Sequence, residues 1–341
     1  MQISQNEIIK RLMLAETSFF TLSEKTLLQK KLDSFNDIAV MSNKELSSII
    51  NRDLTRSVWD GKKVLKKAQT ANFLMQKLGI RWSFFGDADY PAMLTEMKDP
   101  PYVIFYRGSL DCLKAECVSM VGTRRATVTA RKAAFDFARE AAEDGQTVVS
   151  GLAFGIDIAS HCGALKGKSA KTAAVLPGGI DTIVPSSHTK HAVQIIENGG
   201  VVLSEYTPGT PAQPFRFVQR NRIIAALSPA TVVVQAPAGS GAMITADFAL
   251  DYNRDVFFHG ACFNRESRAL DEVNARKLSA MAGSGKAGER KARSKLLNSP
   301  ERYVAEGAPV VNSYAEYRQL KNGNFCGNDI KRGGQMDLFA D

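Results

Sequence analysis

The sequence is poor in the groups on which metal binding, covalent bracing and side-chain catalysis depend. Its five cysteines, Cys112, Cys117, Cys162, Cys262 and Cys326, are odd in number, irregularly spaced and without a C-x-x-C pair. That pattern argues against a disulfide framework or a structural zinc site and for a reducing compartment. There are four histidines, His161, His188, His191 and His259. His188 and His191 stand three apart, with no carboxylate or cysteine at metal-ligand spacing beside them. His161 reads as a structural side chain, and no Ser-His-Asp arrangement can be argued from spacing. No apolar run reaches the roughly 18 residues of a membrane-spanning helix. The opening segment, MQISQNEIIKRLMLAE, has no apolar core of the signal-peptide kind. A cytoplasmic protein without a membrane segment is expected. The glycine fingerprint G-x-G-x-x-G is missing after the first parallel strand. GSGKAG (283–288) is no phosphate loop: Ala280 replaces its leading glycine, Ala287 its hydroxyl residue, and no strand precedes it. No cofactor is implied and no turnover is expected.

What is present is an ordinary globular composition with a basic balance. The chain has 341 residues, 44% of them hydrophobic and 23% charged. At roughly 150 residues per domain that allows two domains and a tail, with a core large enough to need no staples. A formal net charge of +9 and a pI near 9.3 suit a polyanionic partner, nucleic acid being the commonest.

Apolar positions three and four apart predict helices over 6–14, 22–32, 44–50 and 70–78, the last stopped by Gly79. Residues 1–82 are therefore expected to form a helical N-terminal domain. Lys62, Lys63, Lys66 and Lys67 read as a solvated helix face. A Pro-rich junction follows, then a short strand over 102–106. From Cys117 onward continuous apolar strands (117–122, 146–149, 172–176, 201–203, 231–236, 255–258) alternate with amphipathic helices. This predicts an α/β fold: an extended Rossmann-like, mostly parallel sheet with helices on both faces, over residues 83–320. Residues 264–296 are charged and poor in large apolar side chains, and read as a mobile insertion with some helix. The last segment, 321–341, reads as a flexible tail.

In open parallel sheets, ligands bind beyond the carboxyl ends of the strands. Here those ends read GTRR (122–125), SGLAFGID (150–157), LPGGID (176–181), SEYTPGT (204–210) leading to QRNR (219–222), and APAGSGAMIT (236–245). Any one glycine is explained by a tight turn. Five small-residue turns together with Arg124, Arg220 and Arg222 point to phosphate: small residues let backbone N–H groups approach an anion, helix N-termini add a favourable dipole, and arginines bind phosphate bidentately.

Taken in order, VGTRRAT, VVSGLAFGIDIASH, AAVLPGGIDTIVP, GGVVLSEYTPGT, FVQRNRIIAALS, VVVQAPAGSGAMITADFAL and NRDVFF resemble the DprA/Smf DNA-processing family, from about Phe85 to Phe258. The resemblance implies a homodimer that binds single-stranded DNA without reading sequence and loads the RecA recombinase during DNA uptake or recombination. Carried over by position, Arg124, Arg220 and Arg222 would contact backbone phosphates, and Phe217 would stack on a base or pack in the core. Gly122, Gly151, Ser240 and Gly241 would line the DNA-binding edge, with Lys168 and Lys171 as further candidates near the strand ends. The sequence departs from the family pattern at Val184-Pro185, Gln235, Gly239 and His259-Gly260, and no C-terminal winged-helix module is legible. Separately, Gln335, Met336, Asp337, Leu338 and Phe339 resemble the Q-[LM]-[SD]-L-F peptide by which replication and repair proteins dock on the DNA polymerase sliding clamp, with Leu338 and Phe339 entering an apolar pocket. Two competing readings stand beside these: a scaffold joining clamp and recombinase that binds no DNA, and a nucleotide-derivative sensor or hydrolase. LPGGIDT resembles a loop of the lysine-decarboxylase-like phosphoribohydrolases, but Pro185 stands where their catalytic glutamate would be.

Overall fold

The computed structural model describes residues 4–54, 57, 59–281 and 286–323. The chain opens with five helices, α1 (Gln5–Ala15), α2 (Leu22–Lys31), α3 (Phe35–Val40), α4 (Asn43–Ile50) and α5 (Gly61–Leu78). Their starts are set by side-chain caps. Thr21, Ser34 and Ser42 each accept from the first turn while the acid at the third helical position reaches back to the cap N–H. Gly79 ends α5 in the left-handed region at φ 61°, where a glycine carries no steric cost.

The strands and helices that follow are β1 (Arg81–Phe84), α6 (Ala92–Thr95), β2 (Val103–Gly108), β3 (Cys117–Gly122), α7 (Val128–Glu143), β4 (Thr147–Ser150), α8 (Ile156–Ala164), β5 (Thr172–Val175), α9 (Thr189–Glu197), β6 (Val201–Ser204), α10 (Pro214–Ala226), β7 (Ala230–Gln235), α11 (Gly241–Asp251) and β8 (Asp255–His259). After them come α12 (Arg265–Met281), α13 (Lys286–Leu297), α14 (Pro300–Ala305), β9 (Val310–Val311) and α15 (Tyr314–Lys321). One nine-stranded sheet runs in the order β1-β2-β6-β5-β4-β3-β7-β8-β9. β6 through β9 in that order are mutually parallel, and β2 joins antiparallel to both β6 and β1. This is the expected mostly parallel α/β sheet, entered from a helical N-terminal region.

From β3 the chain winds outward through β4, β5 and β6, then returns past β3 to build β7, β8 and β9 on its other side. The strand order therefore reverses between β3 and β7, which opens a crevice at the carboxyl edge there. Helices cover both faces. One face packs α7 and α15 through Phe137, Ala138, Ala141, Tyr314 and Tyr317. On another side the first helices, through Leu12, Met13, Leu28 and Met75, share one core with Phe84, Phe105, Leu176 and Val202 of the sheet region.

Within the stretch 264–296, read as a mobile insertion with some helix, the described residues form two helices, α12 and α13. Their packed positions are mostly small or polar, which leaves no apolar period to read. No helix among the described residues is long and apolar enough to cross a membrane.

Candidate nucleic-acid interface

At the strand-order reversal lies a cavity of about 440 Å³. Three segments build most of it, with Ala153, Asp157 and Asn274 completing the lining. The β3–α7 turn contributes Gly122, Thr123, Arg124 and Arg125; the β7–α11 turn contributes Pro237, Ser240 and Gly241; α10 contributes Phe217, Val218, Arg220 and Asn221. Gly122 is required by packing: a Cβ there would meet the Ile156 side chain and the Gln235 carbonyl.

Arg124 and Arg125 are exposed at the mouth. The Arg124 guanidinium lies 4.4 Å from the centroid of the Phe217 ring, a cation–π pairing that holds the cation and the half-buried ring together at the opening. Arg220 is different. It is 3% exposed and forms part of the floor. Its Nη1 donates to the Gly151 carbonyl at 2.6 Å and to the Val175 carbonyl, and its Nε to Asn221 Oδ1 at 3.2 Å. Among the described residues its Nη2 has no hydrogen-bond partner. Burial lowers the Arg220 pKa to about 10, so the floor remains cationic at neutral pH. Beside it, burial pushes the Asp157 carboxyl above its ordinary value, with Arg220 and Arg124 pulling the other way.

The third wall is the start of α11. Gly241 and Ala242, its first two residues, line the cavity, and the Ser240 hydroxyl is buried there without a hydrogen-bond partner among the described residues. A buried polar group without a partner costs about 1–3 kcal/mol, so this hydroxyl and the helix dipole together favour an anionic oxygen in the cavity.

The structure thus brings Gly122, Arg124, Phe217, Arg220, Ser240 and Gly241 to one cavity. Four other expected residues stand elsewhere. Gly151 is not a lining residue: its missing side chain makes room for the Arg220 guanidinium. Arg222 projects from the opposite side of α10. It is 7% exposed, ion-paired with Glu205 and hydrogen-bonded to the Asp99 carbonyl at 2.7 Å. Held this way, the Arg222 guanidinium serves as a structural tie and lies outside the cavity lining, where a phosphate contact was expected. Lys168 and Lys171 precede β5. In a parallel sheet that turn belongs to the amino edge, opposite the cavity. Sequence reasoning also misses residues. Arg125 and Asn221 lie within the quoted motifs but carry no signal that singles them out. Asn274 comes from α12, for which no signal exists. The clamp-like peptide, Gln335 to Phe339, lies outside the described residues.

Fold and cavity define a class: a Rossmann-like α/β protein whose strand-end crevice is cationic, glycine-lined and rimmed by an aromatic ring. Comparison with known proteins narrows it. The DNA recombination-mediator protein A family matches residues 81–283, more than half of the chain, and the chain belongs to that family. It is 30% identical over 257 residues to Protein Smf of Borreliella burgdorferi, covering 75% of this chain and 80% of that one. It is 40% identical over 171 residues to the DNA processing protein DprA of Streptococcus pneumoniae, covering 50% of this chain but only 60% of that relative. The crystal structure of the Streptococcus pneumoniae protein superposes with a TM-score of 0.62 at 26% identity, covering 93% of this chain and 98% of that one. The DprA/Smf resemblance is thereby established.

Proposed function

We propose that the carboxyl-edge cavity holds the sugar-phosphate backbone of single-stranded DNA, without turnover and without reading base sequence. The observation that carries the reading is the Arg124–Phe217 pair at the mouth of a cavity whose floor is the Arg220 cation. A phosphate seated between Arg124, the α11 N-terminus and the Ser240 hydroxyl would satisfy the groups that lack partners. The next base would then reach the Phe217 ring. Stacking of that kind is worth about 1–3 kcal/mol per base and tolerates any base. A duplex keeps its bases inside and offers no such face, so single strands are preferred. Membership of a recombination-mediator family supports the larger role: delivering bound single strands to the RecA recombinase in DNA uptake or recombination, as a homodimer. The Gln335–Phe339 peptide adds a sliding-clamp dock, a reading that rests on sequence.

Ultraviolet cross-linking to oligo-dT, followed by peptide mapping, tests the site. Adducts on the peptide containing Phe217 are expected. Adducts confined to the N-terminal helices would place the DNA elsewhere. For the tail, deletion of residues 335–341 should abolish clamp binding in a pull-down and leave DNA binding intact; unchanged clamp capture would refute the dock.

A further inference from the structure

Helix α12, which contributes Asn274 to the cavity wall, packs against α13, and the outward faces of the two are cationic. Between 264 and 298 the chain carries nine lysines and arginines against four acidic residues, within a total net charge of +9. In α12, Ser267, Leu270, Asp271, Asn274, Ala275 and Leu278 face inward, while Arg265, Arg268 and Lys277 are exposed. In α13, Arg290, Arg293 and Lys295 are exposed. None of these six cations forms an ion pair with a described residue, unlike Arg276, which pairs with Glu272. Among the described residues three exposed acids, Glu266, Glu272 and Glu289, stand against seven exposed bases, so these faces keep a cationic excess.

The pair is also fastened to the cavity rim. Asp271 accepts from the Ala238 N–H at 3.1 Å, Asn274 Nδ2 donates to the Ala238 carbonyl at 2.7 Å, and the Gly239 N–H donates to the Asn298 carbonyl at 2.7 Å. Gly239 lies so close to the backbone of Lys295 that a Cβ would collide with it. Gln235, at the end of β7, hydrogen-bonds Ser267 of α12 and the start of α7 together. Asn274 itself lines the cavity, and Lys277 stands one turn beyond it. Lys295 of α13 stands against Gly239 of the same rim, so cations of both helices border the exit past Asn274.

We propose that α12 and α13 form a second backbone-binding surface, continuous with the cavity, which holds the phosphates of the same DNA strand after it leaves the mouth. The inference rests on the cavity reading and extends it from a pocket to a track.

The test uses the full chain with Lys277, Arg290, Arg293 and Lys295 all changed to Gln, alongside an Arg124→Ala variant. Affinity is measured by fluorescence anisotropy over a salt series. One oligo-dT is long; the other is short enough to fill the cavity alone. For the long strand, the quadruple variant should lower the slope of log affinity against log salt by about 0.7 for each phosphate it no longer neutralises. Its affinity for the short strand should be unchanged. A charge-retaining variant, Lys277→Arg with Lys295→Arg, should bind like the wild type, which separates charge from packing. An unchanged slope on the long strand, with Arg124→Ala still weakening both, overturns the track and leaves the cavity. Absence of wild-type binding to either strand overturns both.

Discussion

Arg124, in the β3–α7 turn, and Arg222, within α10, carry the same charge, yet physical context assigns them different work. Arg124 is exposed and rests on an aromatic face; Arg222 is buried against Glu205 and Asp99. Removing one partner of a buried ion pair costs about 3–5 kcal/mol because a charge is left stranded. Arg222→Ala should therefore lower the thermal midpoint sharply. Arg124→Ala should leave it almost unmoved while weakening oligo-dT binding, and a reversed pattern in thermal melts would refute the assignment. Phe217→Ala should cost about 1–3 kcal/mol of single-strand affinity with little dependence on base composition, as anisotropy with oligo-dT and oligo-dC would read. His161 makes a pH prediction. Burial first, then Arg220, lowers its pKa from 6.5 to about 3, while Nδ1 shares a 2.7 Å hydrogen bond with Thr172 Oγ1 and Nε2 has no partner among the described residues. The unfolded chain takes up a proton near pH 6.5 that the folded protein refuses. The stability due to neutral His161 is therefore complete above that value and is lost as pH falls toward 3, by up to about 1.4 kcal/mol per pH unit. Urea denaturation at pH 7 and pH 5 should show this loss, and His161→Gln should flatten it; an equal loss in the variant would contradict it.

At the scale of elements, legibility follows the strength of the apolar period. β3 matches the bounds its residues suggest, and β7 does so to within one, because buried parallel strands read as continuous apolar runs. α10 begins at Pro214, six residues before the segment 220–227 whose apolar period reads as a helix, because Phe215 and Val218 are exposed and interrupt the inward stripe. β1 and β9 are not legible as strands. β9 is two residues long and is defined only by pairing Val310 and Val311 with Phe258 and His259, an arrangement no local pattern encodes. α12 is obscured in another way. It docks through Asp271 and Asn274, whose hydrogen bonds to the 237–240 turn replace apolar packing. Asp271→Ala should therefore leave the Ala238 N–H without its acceptor, at about 1–3 kcal/mol. Hydrogen exchange should show Ala238 losing protection selectively; unaltered protection would mean that α12 does not brace the cavity rim.

At the scale of the whole molecule, the site is half legible. The strand-end motifs identify which edge carries phosphate-binding groups. They cannot say which arginine faces the cavity, since Arg220 and Arg222 are two residues apart and only the helix phase set by packing separates them. Lys168 and Lys171 mislead for a related reason: their edge depends on the direction of β5, which is a property of the assembled sheet. The first five helices share a core with that sheet. Tyr102 reaches across to Gln29 at 2.8 Å, and the Glu16 carboxylate accepts from Thr207. A chain starting near residue 81 should consequently expose a large apolar surface and aggregate, as size-exclusion chromatography would show. A monodisperse, cooperatively folding fragment would contradict the shared core.

Whether the crevice between β3 and β7 holds single-stranded DNA by phosphate contacts and stacking is decided by fluorescence-anisotropy titration of labelled oligo-dT and a matched duplex. The measurement compares the wild type with Arg124→Ala at several salt concentrations. Salt-sensitive binding that favours the single strand is expected, with an Arg124→Ala protein that is folded, weaker in affinity and shallower in salt slope. Equal affinity for single strand and duplex, or an Arg124→Ala protein that binds as the wild type does, would contradict it.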